Sequence, residues 1–125
     1  MTLAKAIENF DSERVNKISL ERKIEWISQL DSKIFSEILS CRGADGFEGY
    51  TVNTPFTTTL RAPDSYSEIY TLHLNMKMDY MNGEIGRFNN SAMLFNRMYK
   101  EMHDAINRAT PVVRNTKIKA GDILV

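Results

Sequence analysis

The side chains that could carry chemistry in this sequence are few and widely spaced. The chain contains two histidines, His73 and His103, and a single cysteine, Cys41. Asp104 follows His103, but neighbours on a helix point about 100° apart and therefore do not form an acid–base dyad. The sequence contains no H-E-x-x-H or E-x-x-H spacing, so the histidines predict no metal site. A single cysteine makes neither an internal disulfide nor a cysteine metal site.

His73 and Lys77 lie four residues apart among apolar residues of a predicted helix. A hydrogen-bonded core or interface histidine is more common there than a ligand, and Lys77 can extend to solvent or pair with an acid on a neighbour. The stretch G-A-D-G-F-E-G at residues 43–49 lacks the lysine of a phosphate-binding loop. The sequence therefore predicts no catalytic residue, no cofactor and no metal.

The composition is that of one small domain, or of one domain with a mobile end. Of the 125 residues 42% are apolar, and no run approaches the roughly 20 apolar residues of a membrane span. Sixteen basic and sixteen acidic residues cancel, whereas a nucleic-acid-binding protein usually has a basic excess. The N-terminal residues lack the apolar block and cleavage site of a signal peptide, so we expect a cytoplasmic protein.

Two helices are predicted before residue 43. Thr2 is suited to cap the first and Ser19 the second, and Gly43 suits the left-handed position past a helix end. The predicted buried face of the second helix comprises Leu20, Ile24, Ile27, Leu30, Ile34 and Ile38. Residues 43–61 are rich in Gly and Thr, and we predict a loop or a β-arm there, with two short strands around residues 53–55.

Residues 62–108 are predicted to form a helical hairpin. Its turn comprises Asn82, Gly83 and Glu84, because Asn-Gly stops a helix and an acidic residue suits the first turn of the next one. Apolar residues spaced three and four apart predict one buried stripe on the second helix of the hairpin. These residues are Ile85, Phe88, Ala92, Phe95, Tyr99, Met102 and Ile106.

Three poor helix formers, Asn89, Asn90 and Ser91, follow the start of that stripe. They predict side-chain hydrogen bonds to the hairpin partner or to a neighbouring molecule, or else they lie on the exposed face. Exposure suits Asn90 and Ser91 better than Asn89.

The first helix of the hairpin, over residues 66–81, is apolar around most of its circumference, whereas an ordinary surface helix buries about a third. Its predicted polar strip comprises Glu68, Thr71, Asn75 and Asp79. Such a helix is either central in its own domain or packed against other subunits. We favour subunit contact, because a chain this small has few helices to surround it.

Five side chains are candidates for that subunit contact. Trp26 lies off the centre of the apolar stripe of the second helix, where it either covers the edge of the core or anchors an interface. The other four come from the first helix of the hairpin. They are Tyr66, Tyr70, Lys77 and Met78.

Residues 109–125 are predicted to form an extended C-terminal tail, because they are β-prone and show no helical period. The tail either adds to a neighbour or partner, docks back on its own domain, or stays disordered. The predicted fold is therefore mainly α. A small helical bundle of residues 1–108, built on a long antiparallel hairpin, carries the inserted β-prone arm 43–61 and the tail.

The hairpin resembles a family of small head–tail connector proteins, also called adaptor or head-completion proteins, of long-tailed bacteriophages and prophages. The similar runs are P-D-S-Y-S-E-I-Y and M-D-Y-M-N-G-E-I-G-R-F-N-N-S-A-M-L-F-N. The matching positions are Pro63, Tyr66, Glu68, Ile69, Tyr70, Asp79, Tyr80, Asn82, Gly83, Glu84, Arg87, Asn89, Asn90, Ser91, Phe95 and Asn96. The N-terminal half is similar more loosely, and the residues after Pro111 do not match.

This resemblance implies a mainly helical virion structural protein that assembles as a homo-oligomeric ring beneath the portal. Such a ring extends the DNA channel, contacts the portal and the next neck or tail component, and lets DNA pass without reading its sequence. The implied location is the virion neck, with the host bacterial cytoplasm during assembly and no membrane. Residues 43–61 and 109–125 are the candidates for portal or neck contact.

Two other classes remain open. A small cytoplasmic nucleic-acid-binding or regulatory protein would use the basic residues from Arg108 onward together with the asparagines of the hairpin. An enzyme would require a pocket with a perturbed carboxylate or lysine.

Overall fold

The computed structural model describes residues 1–109, which form a mainly helical bundle. The predicted fold class is confirmed. The α-helices of this part of the chain are α1 (Leu3–Glu13), α2 (Leu20–Ile34), α3 (Glu68–Met81) and α4 (Ile85–Ala109). The predicted tail lies outside the described residues except for Ala109, which is the last residue of α4.

The first two helices begin at the predicted caps. The Thr2 hydroxyl accepts a hydrogen bond from the Lys5 amide, and the Ser19 hydroxyl accepts one from the Arg22 amide, each at 3.2 Å. Each bond satisfies one of the four amides that a helix leaves without an internal partner.

The end of α2 is irregular. It continues into a π-helical turn (Phe35–Leu39) and a 3₁₀ turn (Ser40–Arg42), and the helical path stops at Gly43, whose φ is 79°. Because that conformation strains a residue with a Cβ, the predicted glycine stop has a direct steric reason.

Helices α3 and α4 form the predicted antiparallel hairpin. The rings of Tyr80 and Phe88 lie 5.5 Å apart next to the turn, and those of His73 and Phe95 lie 5.5 Å apart further along. In the turn, Gly83 has a φ of 71°.

The predicted stripe on α4 is buried at its centre and exposed at its start. Phe95, Met102 and Ile106 are buried, whereas Ile85 is 70% exposed. The predicted stripe is therefore not buried at Ile85. This residue is the first of α4 and lies at the end of the bundle.

Helix α3 lies among the other three helices. Helix α2 runs antiparallel to it, since Arg22 contacts Met81 near one end and Asp31 contacts Tyr70 towards the other. Helix α1 runs in the same direction as α3, since Met1 pairs with Asp64. At the opposite end Arg14, which follows α1, pairs with the last turn of α3.

The predicted polar strip of α3 is largely buried. Thr71 and Asp79 are buried with the apolar residues Ile69, Tyr70 and Leu74, and of the strip only Glu68 is exposed. The helix is therefore central in its own domain, which was the less favoured of the two interpretations. Four helices suffice because one helix packs on each side of α3.

Residues 43–61 form a loop, and the predicted pair of strands around residues 53–55 is absent from the described chain. The Thr54 amide instead donates to the Thr51 carbonyl and closes a tight turn. A single antiparallel bridge joins Thr59 to Thr2. The loop lies along the start of α1, where Leu60 is buried, so its backbone hydrogen bonds go to a helix terminus and not to a sheet.

Candidate subunit-contact surface

Three of the five predicted contact residues lie in the core of the chain. Tyr70 is fully buried, and Trp26 and Met78 are 7% and 4% exposed. The Tyr70 hydroxyl donates to Asp31 at 2.5 Å and accepts from the Ala62 amide at 2.8 Å. We correct the interpretation of these three side chains, because they present almost no surface to a second copy.

The other two predicted contact residues are half-buried. Tyr66 packs on the hydrophobic core from the 3₁₀ turn Asp64–Tyr66. Lys77 retains partial exposure on α3, and its charge lies close enough to His73 to contribute to lowering the pKa of that histidine. Their role in subunit contact stays a prediction.

Among the turn residues and the polar residues 89–91 of α4, Glu84 and Ser91 are half-buried and the others are exposed. The Ser91 hydroxyl donates to Asp79 at 2.7 Å, so it makes the contact between hairpin helices that the sequence favoured for Asn89. Asn89 and Asn90 are exposed, as are Asn82 and Gly83. Ser91 lies nearly two turns from the start of α4, and its short side chain reaches the buried Asp79 carboxylate.

Asp79 holds three segments together at one end of the bundle. It is 1% exposed. It accepts from the Arg14 guanidinium at 2.8 Å and from Ser91 at 2.7 Å. The Glu84 amide donates to the backbone carbonyl of the same residue. This buried, fully paired carboxylate fixes the C-terminal end of α1, the end of α3 and the start of α4 relative to one another.

Large apolar side chains are exposed around that same end. Tyr80 is 73% exposed and Ile85 is 70% exposed, and the two residues flank the turn of the hairpin. We call the exposed set the bundle end. It comprises Val15, Leu20, Tyr80, Met81 and Ile85. Exposed apolar groups that gather at one place typically mark an interaction site.

The second of the two family-like runs, residues 78–96, passes through this end. Tyr80, Asn82 and Gly83 are exposed there, and Arg87 and Asn96 are exposed further along α4. Among the same matching positions, Asp79 and Ser91 form the internal contact described above. The run therefore combines residues that fix the end of the bundle with residues that are free to meet another molecule.

Asp31 is a second buried carboxylate, and the sequence reasoning did not single it out as a site. It accepts from Tyr50 at 2.6 Å, from Tyr70 at 2.5 Å and from the Arg61 amide at 3.0 Å. Burial raises the pKa of Asp31, and the hydrogen bonds from Tyr50 and Tyr70 oppose that shift. A signal was present, because Asp31 follows Ile27 by four residues and precedes Ile34 by three, which places it on the buried face.

His73 is a buried, hydrogen-bonded histidine, as its position in the apolar arc predicts. Its Nε2 lies 2.9 Å from the Trp26 carbonyl oxygen, and because a carbonyl only accepts, Nε2 carries the hydrogen. Burial lowers the pKa of His73 to about 4, so the imidazole is neutral at pH 7. Its Nδ1 has no hydrogen-bond partner among the described residues.

Residues 1–109 contain neither a metal-binding cluster nor a membrane-spanning helix. No group of three or more His, Cys, Asp or Glu side chains there is placed to hold a metal ion. No helix in these residues has both the length and the apolar content to cross a bilayer.

Comparisons of the chain with protein families, with curated proteins and with solved structures find no match.

Proposed function

We propose that this protein is a head–tail connector of a tailed bacteriophage or prophage, a structural adaptor in the virion neck. In this proposal copies of the chain form a ring beneath the portal, extend the DNA channel and join the head to the next neck or tail component. Assembly takes place in the host bacterial cytoplasm, and DNA passes through the lumen without specific contacts.

The observation that carries the proposal is the bundle end. Three of its five exposed apolar side chains, Tyr80, Met81 and Ile85, flank the turn of the family-like run from α3 into α4, and the other two lie after α1 and at the start of α2. Burying such side chains against a second copy is favourable at about 25 cal/mol per Å² of apolar surface. A ring presents the same surface on every subunit, so a modest contact is repeated around a closed assembly.

The apolar character of α3 no longer contributes to this proposal. The buried side chains of this helix are accounted for inside the chain, where α1, α2 and α4 cover them, and its exposed large apolar residues are the last two, Tyr80 and Met81. What supports the proposal is the resemblance along the hairpin together with the exposed apolar side chains of the bundle end.

The test is ring formation by the full-length protein with the portal protein encoded beside it. We expect rings on the portal by negative-stain electron microscopy and a matching large complex by light scattering. Failure to bind the portal, with salt-dependent binding of duplex DNA instead, would favour the nucleic-acid-binding class.

A variant ties the ring to the bundle end. Ile85→Asp adds a charge to the exposed surface, and an acidic residue in the first turn suits the helix dipole, so the fold is retained. We expect this variant to lose ring formation. Met93→Asp is the matched control, since Met93 is a similarly exposed apolar residue about two turns further along α4. Equal ring formation by the two variants would show that the bundle end is not the contact.

A further inference from the structure

A groove lies along the outer side of α2, opposite the part of the loop at residues 47–52. Its volume is about 810 Å³. The Tyr50 amide donates to the Ser28 hydroxyl at 2.9 Å, and this bond holds the loop against the helix and fixes one wall. Val52 is about half exposed in that wall, and Phe47 also lines the groove. The groove is therefore a preformed concave surface with an apolar component.

The charges that line the groove are mainly negative. Glu21, Glu25 and Glu48 line it, against one basic residue, Arg22. Within residues 1–109 none of the three glutamates takes part in an ion pair. Carboxylates of one sign along a concave surface attract a cationic occupant.

The chain itself contains a segment with the required positive charge. Residues 110–125 lie outside the described part and carry Arg114, Lys117 and Lys119 against one acid, Asp122. Apolar residues are interspersed with the basic ones, including a valine pair directly after Pro111. The segment therefore matches both the charge and the apolar wall of the groove.

The groove is far from the end of α4 in the same chain. Helices α2 and α4 run in the same direction, because both are antiparallel to α3. Tyr99 donates to Glu37, so these two residues lie at the same level. From Tyr99, α4 continues about 15 Å to Ala109, and Glu25 lies about 18 Å back along α2, at 1.5 Å per residue. The separation between Ala109 and Glu25 is thus on the order of 30 Å.

This separation favours a neighbouring copy as the source of the segment. Arg114 is five residues beyond Ala109, and an extended chain of that length spans about 17 Å. Lys117 reaches about 26 Å only when the chain doubles back fully extended. The first two basic residues therefore fall short of Glu25 in their own chain, whereas a second copy imposes no such limit.

We propose that the groove between α2 and residues 47–52 binds residues 110–125 of a second copy of this chain. The basic side chains of the segment meet the glutamates of the groove, and its apolar residues pack on Val52 and Phe47. The proposal rests on the self-association that the proposed function requires, and it names the surface and the segment that link neighbouring subunits.

Disulfide trapping between full-length chains tests the proposal. Both variants carry Cys41→Ser, which removes the native exposed thiol. One variant carries Gln29→Cys in the groove and the other Lys119→Cys, with one of them isotope-labelled. After mild oxidation, with and without the portal, we expect a disulfide-linked dimer of unlike chains by non-reducing gel and mass spectrometry. Glu13→Cys, on the exposed surface of α1, replaces Gln29→Cys in the matched control.

Charge reversal distinguishes specific binding from cross-linking by random collision, because only specific binding depends on the charges of the groove and the tail. Glu21→Lys together with Glu25→Lys in the groove variant should lower the yield of the linked dimer about tenfold. Added salt should lower the yield of the pair of variants that keeps both glutamates. Arg114→Glu with Lys117→Glu in the tail variant should restore most of the loss. Linkage no greater than in the Glu13→Cys control, or linkage formed only within one chain carrying both cysteines, would overturn the proposal. Rings on the portal without this link would remove the inference and leave the proposed function standing.

Discussion

Asp31 is the residue that ties the loop to the helices. Its carboxylate receives hydroxyls from Tyr50 in the loop and from Tyr70 in α3, together with the backbone amide of Arg61. The Asp31 side chain that accepts these three hydrogen bonds has no exposed surface. A buried carboxylate with three donors is stabilising as long as every donor keeps its acceptor.

Asp31→Asn should destabilise the protein by about 2–4 kcal/mol, because an amide cannot accept from both sides. One orientation points its NH₂ group at the Arg61 amide, and the other deprives the Tyr70 hydroxyl of its acceptor. Urea unfolding followed by circular dichroism measures the change. Tyr50→Phe removes only one donor and should cost about 1 kcal/mol.

Asp45→Asn is the matched control for this substitution. Asp45 is exposed, and its side chain accepts no hydrogen bond from the described residues. We expect a change within about 0.5 kcal/mol. If the variants at positions 31 and 45 unfolded at the same urea concentration, the central role of Asp31 would be wrong.

Residue types predicted local features well where the cause is local. Thr2, Ser19 and Gly43 act through their own backbone neighbourhood, so composition and order sufficed to place them. Asp79 was assigned to a polar strip, yet it is buried. Its burial was not predicted, because its partner Arg14 is 65 residues away in sequence. No pattern within one helix shows that a distant cation covers a carboxylate.

Among the elements, the hairpin followed directly from the sequence and the role of α3 did not. A stripe spaced three and four apart needs only one helix to be recognised. Whether an all-round apolar helix meets its own chain or another depends on how α1 and α2 pack, which a helical wheel does not contain. Residues 43–61 were likewise β-prone, but their hydrogen bonds to α1 replaced strand pairing.

The turn between α3 and α4 gives a prediction with an internal control. Gly83 has a φ of 71°, where a Cβ is strained, so Gly83→Ala should destabilise the protein by about 1 kcal/mol. Gly86 lies in α4 with an ordinary φ and open space around it, so Gly86→Ala should stabilise it by about 0.5–1 kcal/mol. Thermal unfolding of the two variants distinguishes them. Shifts of the same sign would contradict the turn geometry.

At the scale of the whole molecule, four helices build one core with α3 at its centre, and the histidine of that helix makes its stability depend on pH. His73 contacts α2 through the Trp26 carbonyl and α4 through the Phe95 ring. Burial lowers the pKa of His73 to about 4, and the positive charge of Lys77 acts in the same direction. Protonation therefore charges an imidazole between three helices and weakens their packing.

The pH dependence has a definite sign. The folded pKa of His73 lies below the unfolded value of about 6.5, so its contribution is fully present above pH 6.5 and is lost as the pH falls through about 4. Between pH 7 and pH 4.5 the free energy of unfolding should fall by roughly 2–3 kcal/mol from this group. Asp31 acts oppositely, because burial raises its pKa, so the effect is measured as a difference between variants.

Urea unfolding at pH 7 and pH 4.5 should show this loss in the wild type and its absence in His73→Leu. The leucine keeps the apolar contact with Phe95 and cannot be protonated, so the change in stability of the two proteins over this interval should differ by roughly 2–3 kcal/mol. His103→Gln removes the other histidine, which is only half-buried near the end of α4, and should keep the wild-type loss. Equal losses in wild type and His73→Leu would show that the acid sensitivity of the bundle arises elsewhere than at the centre of its core.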